Sequence, residues 1–413
     1  MKEIYKIPRV SVMAWSRAKA RPVGQPASFY DFHRRAKGGE RLTVAFMGGS
    51  LTWGAGASDP LKTSYRALIG QWLEQAYPQA HLSFVDGAIG GSGAQLGAFR
   101  LNRDVLAYQP SLFFLDFTLN DGTYQISPDT LAAYEAIVRR TIREAGCPVV
   151  QMFLASRADI EAGQLDKMLR RSAHLKLSRA YHTAVGDAIV LMQRRYQRGQ
   201  LDLDRLWPPE RFDTTHPGDA GYVCYAEAAW QALQKAIARR VVCRVPEKML
   251  FGDTYQTWTR TPVAELRPRG WHTATPKMGY LAFDFLMSRW LDSLCVGANF
   301  VELDRVKTRP APAAGPLRVG FHGSTVLLFG ESTPRSGRYR VRIDGGAGTE
   351  FNACKMGSTG NGHLWQVIAE GLPVQEHTLE ITPLFVSSKV PAELRLESIC
   401  VAGGDAKVWP IDR

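Results

Sequence analysis

Ser50 follows the apolar run Leu42–Met47 and two glycines, and it opens the loop Gly48-Gly49-Ser50-Leu51-Thr52-Trp53-Gly54-Ala55-Gly56-Ala57-Ser58. A serine hydroxyl is a weak nucleophile, so chemistry here needs a base within hydrogen-bond reach, itself held by a third group. The candidate base is His216 in Phe212-Asp213-Thr214-Thr215-His216-Pro217. Asp213 lies on the same loop, close enough to turn back and fix the imidazole tautomer. Acyl transfer also needs donors aimed at the developing oxyanion. The expected donors are the backbone N–H of Ser50, the backbone N–H of Gly91 in Gly90-Gly91-Ser92, and the side-chain amide of Asn120 in Leu119-Asn120-Asp121. Trp53, Tyr124 and Trp207 are near these segments in sequence; each reads as a platform for a sugar ring or as hydrophobic packing. Asp121 reads as structural, bracing its loop through backbone hydrogen bonds.

Remote segments converge only if regular elements bring their ends together. Leu42–Met47, Leu82–Val85, Leu112–Phe117 and Pro148–Leu154 read as short buried strands, with another strand around Ala188–Met192. Between them, Ser64–Tyr77, Ala94–Tyr108 and Pro128–Ala145 carry helical periodicity; a long basic helical stretch follows, and a final helix spans Asp219–Ala238. This alternation predicts a parallel sheet with helices on both faces, and in such sheets ligands gather outside the carboxyl ends of the strands. Gly48-Gly49-Ser50, Asp86–Gly93 and Thr118–Gly122 lie at three of those ends. Past about Val245 the texture changes to β-type segments between turn residues: Leu317–Phe321, Thr325–Phe329, Gly337–Ile343, Leu364–Ile368, His377–Ile381 and Glu393–Val401. A second, all-β sandwich domain is expected there, with Arg309–Gly315 as a loop inside it. The division is a basic N-terminal arm over 1–40, a catalytic α/β domain over 41–243 and a β-sandwich over 244–413.

At these residues the chain resembles the SGNH (GDSL-type) hydrolase family. Gly48-Gly49-Ser50-Leu51 stands at its serine block, Gly90-Gly91-Ser92 at its glycine block, Leu119-Asn120-Asp121 at its asparagine block and Asp213-Thr214-Thr215-His216 at its Asp-x-x-His block. Two positions depart: Gly49 stands where the family usually has Asp, and Asp86 where Asn is frequent. The resemblance implies a flavodoxin-like three-layer α/β/α fold, with Ser50, Asp213 and His216 as catalytic residues, the three oxyanion donors named above, and no cofactor or metal. The β-rich part resembles galactose-binding-like jelly rolls, through Gly323–Gly330, Gly337–Asp344 and Gly371-Leu372-Pro373. The pairing is similar to bacterial polysaccharide acetylesterases, which implies a serine esterase acting on an acetylated carbohydrate. An acyltransferase, lipase or thioesterase with the same residues is the alternative, and a binding protein on a retired hydrolase is the non-enzymatic one.

Composition supplies exclusions. The chain has 413 residues, 45% hydrophobic and 22% charged, enough apolar material for a core and for two domains. No apolar run reaches the ~18–20 residues of a membrane span. No nucleophile-elbow Gly-x-Ser-x-Gly, P-loop or His-Glu-x-x-His motif occurs. The six cysteines include no Cys-x-x-Cys pair and read as buried apolar residues. The net charge of +12 raises nucleic acid, a membrane surface or an acidic polysaccharide as partners. Its basic clusters, Met1–Arg41 and Glu161–Gln200, lack a nucleic-acid module or aromatic interleaving, so no nucleic-acid or membrane partner is expected. The start has no apolar h-region, so a cytoplasmic protein is expected, or a secreted one if a leader was removed. The C-terminal domain is read as a surface for sugar, for a lid or for oligomer formation.

Overall fold

The computed structural model describes residues 26–277, 291–303, 307–355, 360–387 and 389–411. Its first part runs β1 (Ala27–Ser28), α1 (Phe29–Lys37), β2 (Arg41–Gly48), α2 (Ser50–Trp53), α3 (Tyr65–Ala76), β3 (His81–Asp86), α4 (Ala94–Asp104), β4 (Leu112–Asp116), α5 (Pro128–Ala145), β5 (Val149–Phe153), α6 (Arg157–Ala162), α7 (Leu169–Tyr181), β6 (Ala184–Asp187), α8 (Ala188–Gln197), α9 (Leu203–Leu206), α10 (Asp219–Ala238) and β7 (Val242–Cys243). Local chemistry sets these boundaries. Helix α5, for example, begins with Pro128 behind the Ser127 cap, whose hydroxyl accepts the Thr130 N–H, and it stops at Gly146 in the left-handed region.

Strands β2 to β6 form a five-stranded parallel sheet in the order β3-β2-β4-β5-β6. Strands β4 and β5 are buried along their whole length, as expected of a sheet covered on both faces. Helices α1, α3 and α8 pack with α10, while α4 packs on α5 and α5 on α7. This is the three-layer arrangement implied by the sequence. The strand order reverses between β2 and β4, and the crevice at their carboxyl ends is the switch point where doubly wound folds bind ligands.

Two local expectations are corrected. The apolar run Ala188–Met192 is the start of helix α8, not a strand. The strand is the preceding Ala184–Asp187, and Asp187 caps the helix by accepting the Val190 N–H. Of the expected N-terminal arm, residues 1–25 lie outside the described residues. Ala27 pairs with Cys243, and helix α1 buries Phe29, Phe32 and Ala36, so this portion is part of the α/β unit's shell.

The second part runs β8 (Trp258–Pro262), α11 (Val263–Leu266), β9 (His272–Ala274), β10 (Leu294–Ala298), β11 (Phe300–Glu302), β12 (Thr308–Pro310), β13 (Leu317–Gly323), β14 (Thr325–Ser332), β15 (Arg338–Ile343), β16 (Thr349–Asn352), β17 (Gly362–Ala369), β18 (Gln375–Leu384), β19 (Glu393–Ala402) and β20 (Lys407–Pro410). Two antiparallel sheets face each other: β17-β14-β19-β10-β9, with β8 also on β19, and β16-β15-β18-β13-β20. Their shared core includes Val319, Phe321, Leu328, Tyr339, Val341, Ile381, Leu396 and Ile399.

The first of these sheets has a second buried face. On β14, Val326 and Leu328 point into the sandwich, while Leu327 and Phe329 join the core of the α/β unit. On β10, Cys295 faces the sandwich and Leu294, Val296 and Ala298 face the α/β unit. The period-2 alternation of a strand assigns each side chain to one of two cores. This is why β14 and β19 are buried at every position. Polar links reinforce the junction: Thr325 Oγ1 to Asp129 Oδ1 at 3.0 Å, Gln95 Nε2 to Glu370 Oε1 at 2.5 Å, and the Arg140 guanidinium 4.4 Å from the Trp258 ring centroid.

Candidate active site

Ser50 is the first residue of α2, at the carboxyl end of β2, and is 9% exposed. As the leading residue of a helix, its N–H has no intrahelical acceptor. The two glycines before it stand in close quarters. A Cβ at Gly48 would meet Thr52 Oγ1 at 2.2 Å and the Asp116 carbonyl at 2.6 Å. A Cβ at Gly49 would stand 2.1 Å from Asn120 Oδ1. The Asn120 amide therefore lies directly against the backbone that leads into Ser50.

His216 reaches Ser50 because the loop after α2 is laced to the start of α10. Asp219 accepts the Ser58 N–H at 2.8 Å, the Ser58 hydroxyl at 2.6 Å and the Thr63 hydroxyl at 2.8 Å. The Tyr222 hydroxyl donates to the Ala55 carbonyl at 2.6 Å. Gly56, at φ +90, packs against His216 and Pro217 with no room for a side chain. The result is a continuous hydrogen-bonded chain: Ser50 Oγ to His216 Nε2 at 2.7 Å, and His216 Nδ1 to Asp213 Oδ2 at 2.8 Å. Asp213 Oδ1 accepts the N–H groups of Thr215 at 2.9 Å and His216 at 3.0 Å. Partial burial raises the Asp213 carboxyl, but those backbone bonds and the imidazole outweigh it and hold it below the usual carboxylate range. An ionised Asp213 leaves the Nδ1 proton on the imidazole and Nε2 free to accept from serine.

The glycine block forms a turn in which the Ser92 N–H and Oγ both reach the Ile89 carbonyl, at 3.3 and 2.7 Å. Gly91 occupies φ +68, a conformation that favours glycine. The Ile89 N–H donates to the Gly48 carbonyl at 3.0 Å, which ties this turn to the strand carrying Ser50. Asp121 accepts the Ala94 N–H at 3.1 Å and so braces the start of α4, the structural role expected of it. Burial pushes its carboxyl up to about 7, against the opposing charge of Arg170. Asp86 bonds the Ala88 N–H at 3.0 Å and pairs with Arg66 at 3.0 Å; Arg66 in turn holds the Trp53 carbonyl at 3.2 Å.

The three aromatic candidates part ways. Tyr124 is 38% exposed, and burial together with Asp159 raises its hydroxyl to about 12. Trp53 is half-buried. Trp207 is 1% exposed inside the α/β core, so its ring has no free face for a sugar; nearness in sequence to His216 misplaced it.

Three residues near the site were not anticipated. Phe212, beside Asp213, is 94% exposed and adopts φ +52. His363 and Trp365, both on β17 of the sandwich, lie on the glycine turn: the Trp365 indole N–H donates to the Gly91 carbonyl at 2.9 Å, and His363 Nε2 is 3.9 Å from the Cβ position of Gly91. The legible signal was in β17 itself, where Trp365 and Val367 make the face opposite the buried Leu364 apolar too. Among the described residues, no group of His, Cys, Asp or Glu is arranged to hold a metal ion, and no helix is long and apolar enough to cross a membrane.

Residues 46–223 match the model of the GDSL-like Lipase/Acylhydrolase family. No curated protein matches the sequence. Over 91% of this chain and 95% of the other, the fold is similar to the crystal structure of a two-domain esterase (CEX) active on acetylated mannans, co-crystallized with mannopentaose, at 19% identity and a TM-score of 0.69. A second crystal structure of a two-domain esterase (CEX) active on acetylated mannans is similar over 93% of this chain and 98% of that one, at 20% identity and a TM-score of 0.67. At these identities the likeness is one of architecture, and it embraces both the α/β unit and the sandwich.

Proposed function

We propose that the protein is a serine esterase that removes O-acetyl groups from a carbohydrate, with the α/β unit, including the segment from Ala27, as the catalytic unit and the sandwich as the second domain. The observation that carries the reading is the Ser50–His216–Asp213 chain, with links of 2.7 and 2.8 Å, at the switch point of the sheet. Ser50 Oγ attacks the ester carbonyl carbon while His216 Nε2 takes its proton. The oxyanion sits against the Ser50 and Gly91 N–H groups and the Asn120 amide. Collapse of this intermediate breaks the bond to the sugar oxygen, which leaves with the proton from His216. Water then attacks the acetyl-serine with His216 as base, releasing acetate and restoring the serine hydroxyl. No step needs a metal or an organic cofactor.

Support for the carbohydrate part comes from the fold shared with the two-domain esterases active on acetylated mannans and from the sandwich at the edge of the site. The test is acetate release from a panel of acetylated polysaccharides, with Ser50→Ala as the control. Release by the wild type and its loss in Ser50→Ala are expected; equal release by both would end the proposal. Model esters of increasing chain length test the acyl group, and a steep fall beyond acetyl separates an acetylesterase from a lipase or thioesterase.

A further inference from the structure

The glycine turn has to hold an N–H donor still, yet Gly90 and Gly91 have no side chains with which to be held. Glycine carries the largest conformational freedom of any residue, and Gly91 is exposed. The flanks of the turn are secured inside the α/β unit, by Ile89 N–H on the Gly48 carbonyl and by Asp121 on the Ala94 N–H. The Gly91–Ser92 peptide, one Cα after the Gly91 N–H, is held on both sides: its N–H donates to the Ile89 carbonyl at 3.3 Å within the α/β unit, and its carbonyl is held from the sandwich. The Trp365 indole N–H donates to the Gly91 carbonyl at 2.9 Å, and the far edge of the same ring is 3.6 Å from the Cβ position of Gly93. Strand β17 is itself fixed, since Leu364 is buried in the sandwich core and the strand pairs with β14 from Ser332 to Val326.

We infer that Trp365 is a positioning residue of the sandwich that fixes Gly91 as an oxyanion donor, so that the second domain contributes to turnover and not only to substrate capture. The inference rests on the proposed esterase reading. A displacement of about 1 Å of a catalytic group costs on the order of 10² in rate, and loss of a whole oxyanion donor ~10²–10³. Freeing the turn therefore acts on kcat, and it does so with any ester, including one that carries no sugar.

The test uses the full chain and p-nitrophenyl acetate, which offers nothing for an indole to recognise as a glycan. Trp365→Phe keeps an aromatic ring and removes the donor. Trp365→Gln removes the ring but places an amide N–H the same number of bonds from Cα. The expected result for Trp365→Phe is a fall in kcat of about tenfold to a hundredfold with KM changed less than about twofold, and for Trp365→Gln a substantial recovery. Amide hydrogen exchange over residues 89–93 supplies a readout independent of turnover: faster in Trp365→Phe, near wild type in Trp365→Gln, with thermal melting showing that both remain folded. Wild-type kcat and exchange in Trp365→Phe would overturn the inference, and so would equal losses in the two variants, since restoring an N–H donor would then rescue nothing. Failure of the esterase reading looks different: Ser50→Ala would keep the wild-type rate.

Discussion

Gly49→Ala isolates the oxyanion arrangement from everything else at the site. The backbone at Gly49, φ −93 and ψ −152, is open to any residue, so alanine adds no strain there. What it adds is one carbon, 2.1 Å from Asn120 Oδ1, 2.6 Å from Cγ and 2.8 Å from Nδ2. Contact between such atoms settles near ~3.5–4.0 Å, so the amide has to move by roughly 1 Å or more. Asn120 is exposed, and the side chain can swing into solvent without disturbing the core. Stability should therefore change by less than about 1 kcal/mol, because the group that has to move is exposed, while kcat falls by ~10²–10³, the usual result of losing one oxyanion donor. The same substitution made on top of Asn120→Ala should cost nothing further, because the group it displaces is gone. Steady-state rates of the two single variants and the double variant on p-nitrophenyl acetate, with melting curves, give the cycle. A Gly49→Ala enzyme at the wild-type rate, or one whose loss simply adds to that of Asn120→Ala, refutes the assignment of the Asn120 amide to the oxyanion.

Asp213→Asn presents an amide N–H to His216 Nδ1 and favours the wrong imidazole tautomer; kcat at neutral pH should fall by ~10³–10⁴ with little change in melting temperature. Because the Asp213 carboxyl is held below its ordinary value of 3.8, its contribution to stability is present above that pH and lost as pH falls through the lowered value. Asp116 behaves in the opposite sense. Burial pushes it up to about 7, with the charge of Asp121 adding to the Thr118-opposed shift, so its stabilising protonated form is complete below 3.8 and is lost as pH rises through about 7. Melting temperature should decline between about pH 4 and about pH 7 by this route, and Asp116→Asn should flatten the decline over that window; an identical slope in the variant would show that Asp116 does not titrate there. Trp207→Ala should cost about 3–5 kcal/mol in urea unfolding as a core truncation, with KM for an acetylated polysaccharide unchanged; a selective rise in KM would restore Trp207 as a sugar platform.

Much of the α/β unit was legible because its periodicities are long and its boundaries chemically marked. Helix Pro128–Ala145 falls where its Ser127 cap and apolar spacing put it, and Asp219–Ala238 where its apolar spacing does. Ala188–Met192 was misread because a run of five apolar residues satisfies a buried strand and a buried helix equally, and only Asp187 as a cap decides between them. The Ser50–His216–Asp213 convergence was readable from residue types at strand ends, but the lacing of Asp219 and Tyr222 to the loop at 55–63 was not, since it joins segments remote in sequence. Trp365 escaped for the same reason, being a strand residue of another domain whose partner is a backbone carbonyl. Trp207 shows the converse error, where proximity along the chain stood in for proximity in space.

The net charge of +12 also has a structural answer in part. Within the basic stretch Glu161–Gln200, Arg170 is buried and donates to the Asp121 carbonyl at 2.7 Å, Arg171 pairs with Asp187 at 2.5 Å, and Arg195 pairs with Glu227. Arg100 and Arg140 are buried beneath the sandwich, bonded to the Gly87 and Ala98 carbonyls at 2.9 and 2.7 Å. Guanidinium groups that close backbone carbonyls and carboxylates inside the protein are unavailable to an external polyanion. Within the sandwich, Arg260–Glu397 and Arg395–Glu331 are likewise buried, at 2.8 and 2.6 Å. Removing one partner of such a pair strands a charge in the interior at a cost of ~3–5 kcal/mol. Across the junction itself, Thr325 with Asp129, Glu370 with Gln95 and Trp258 with Arg140 would lose their partners on separation. A binding module on a flexible tether would behave otherwise. With β14 and β10 each serving two cores and β17 holding the Gly91 turn, separating the units would expose apolar surface and release that turn, and on the reading proposed above it would unpin the Gly91 donor too.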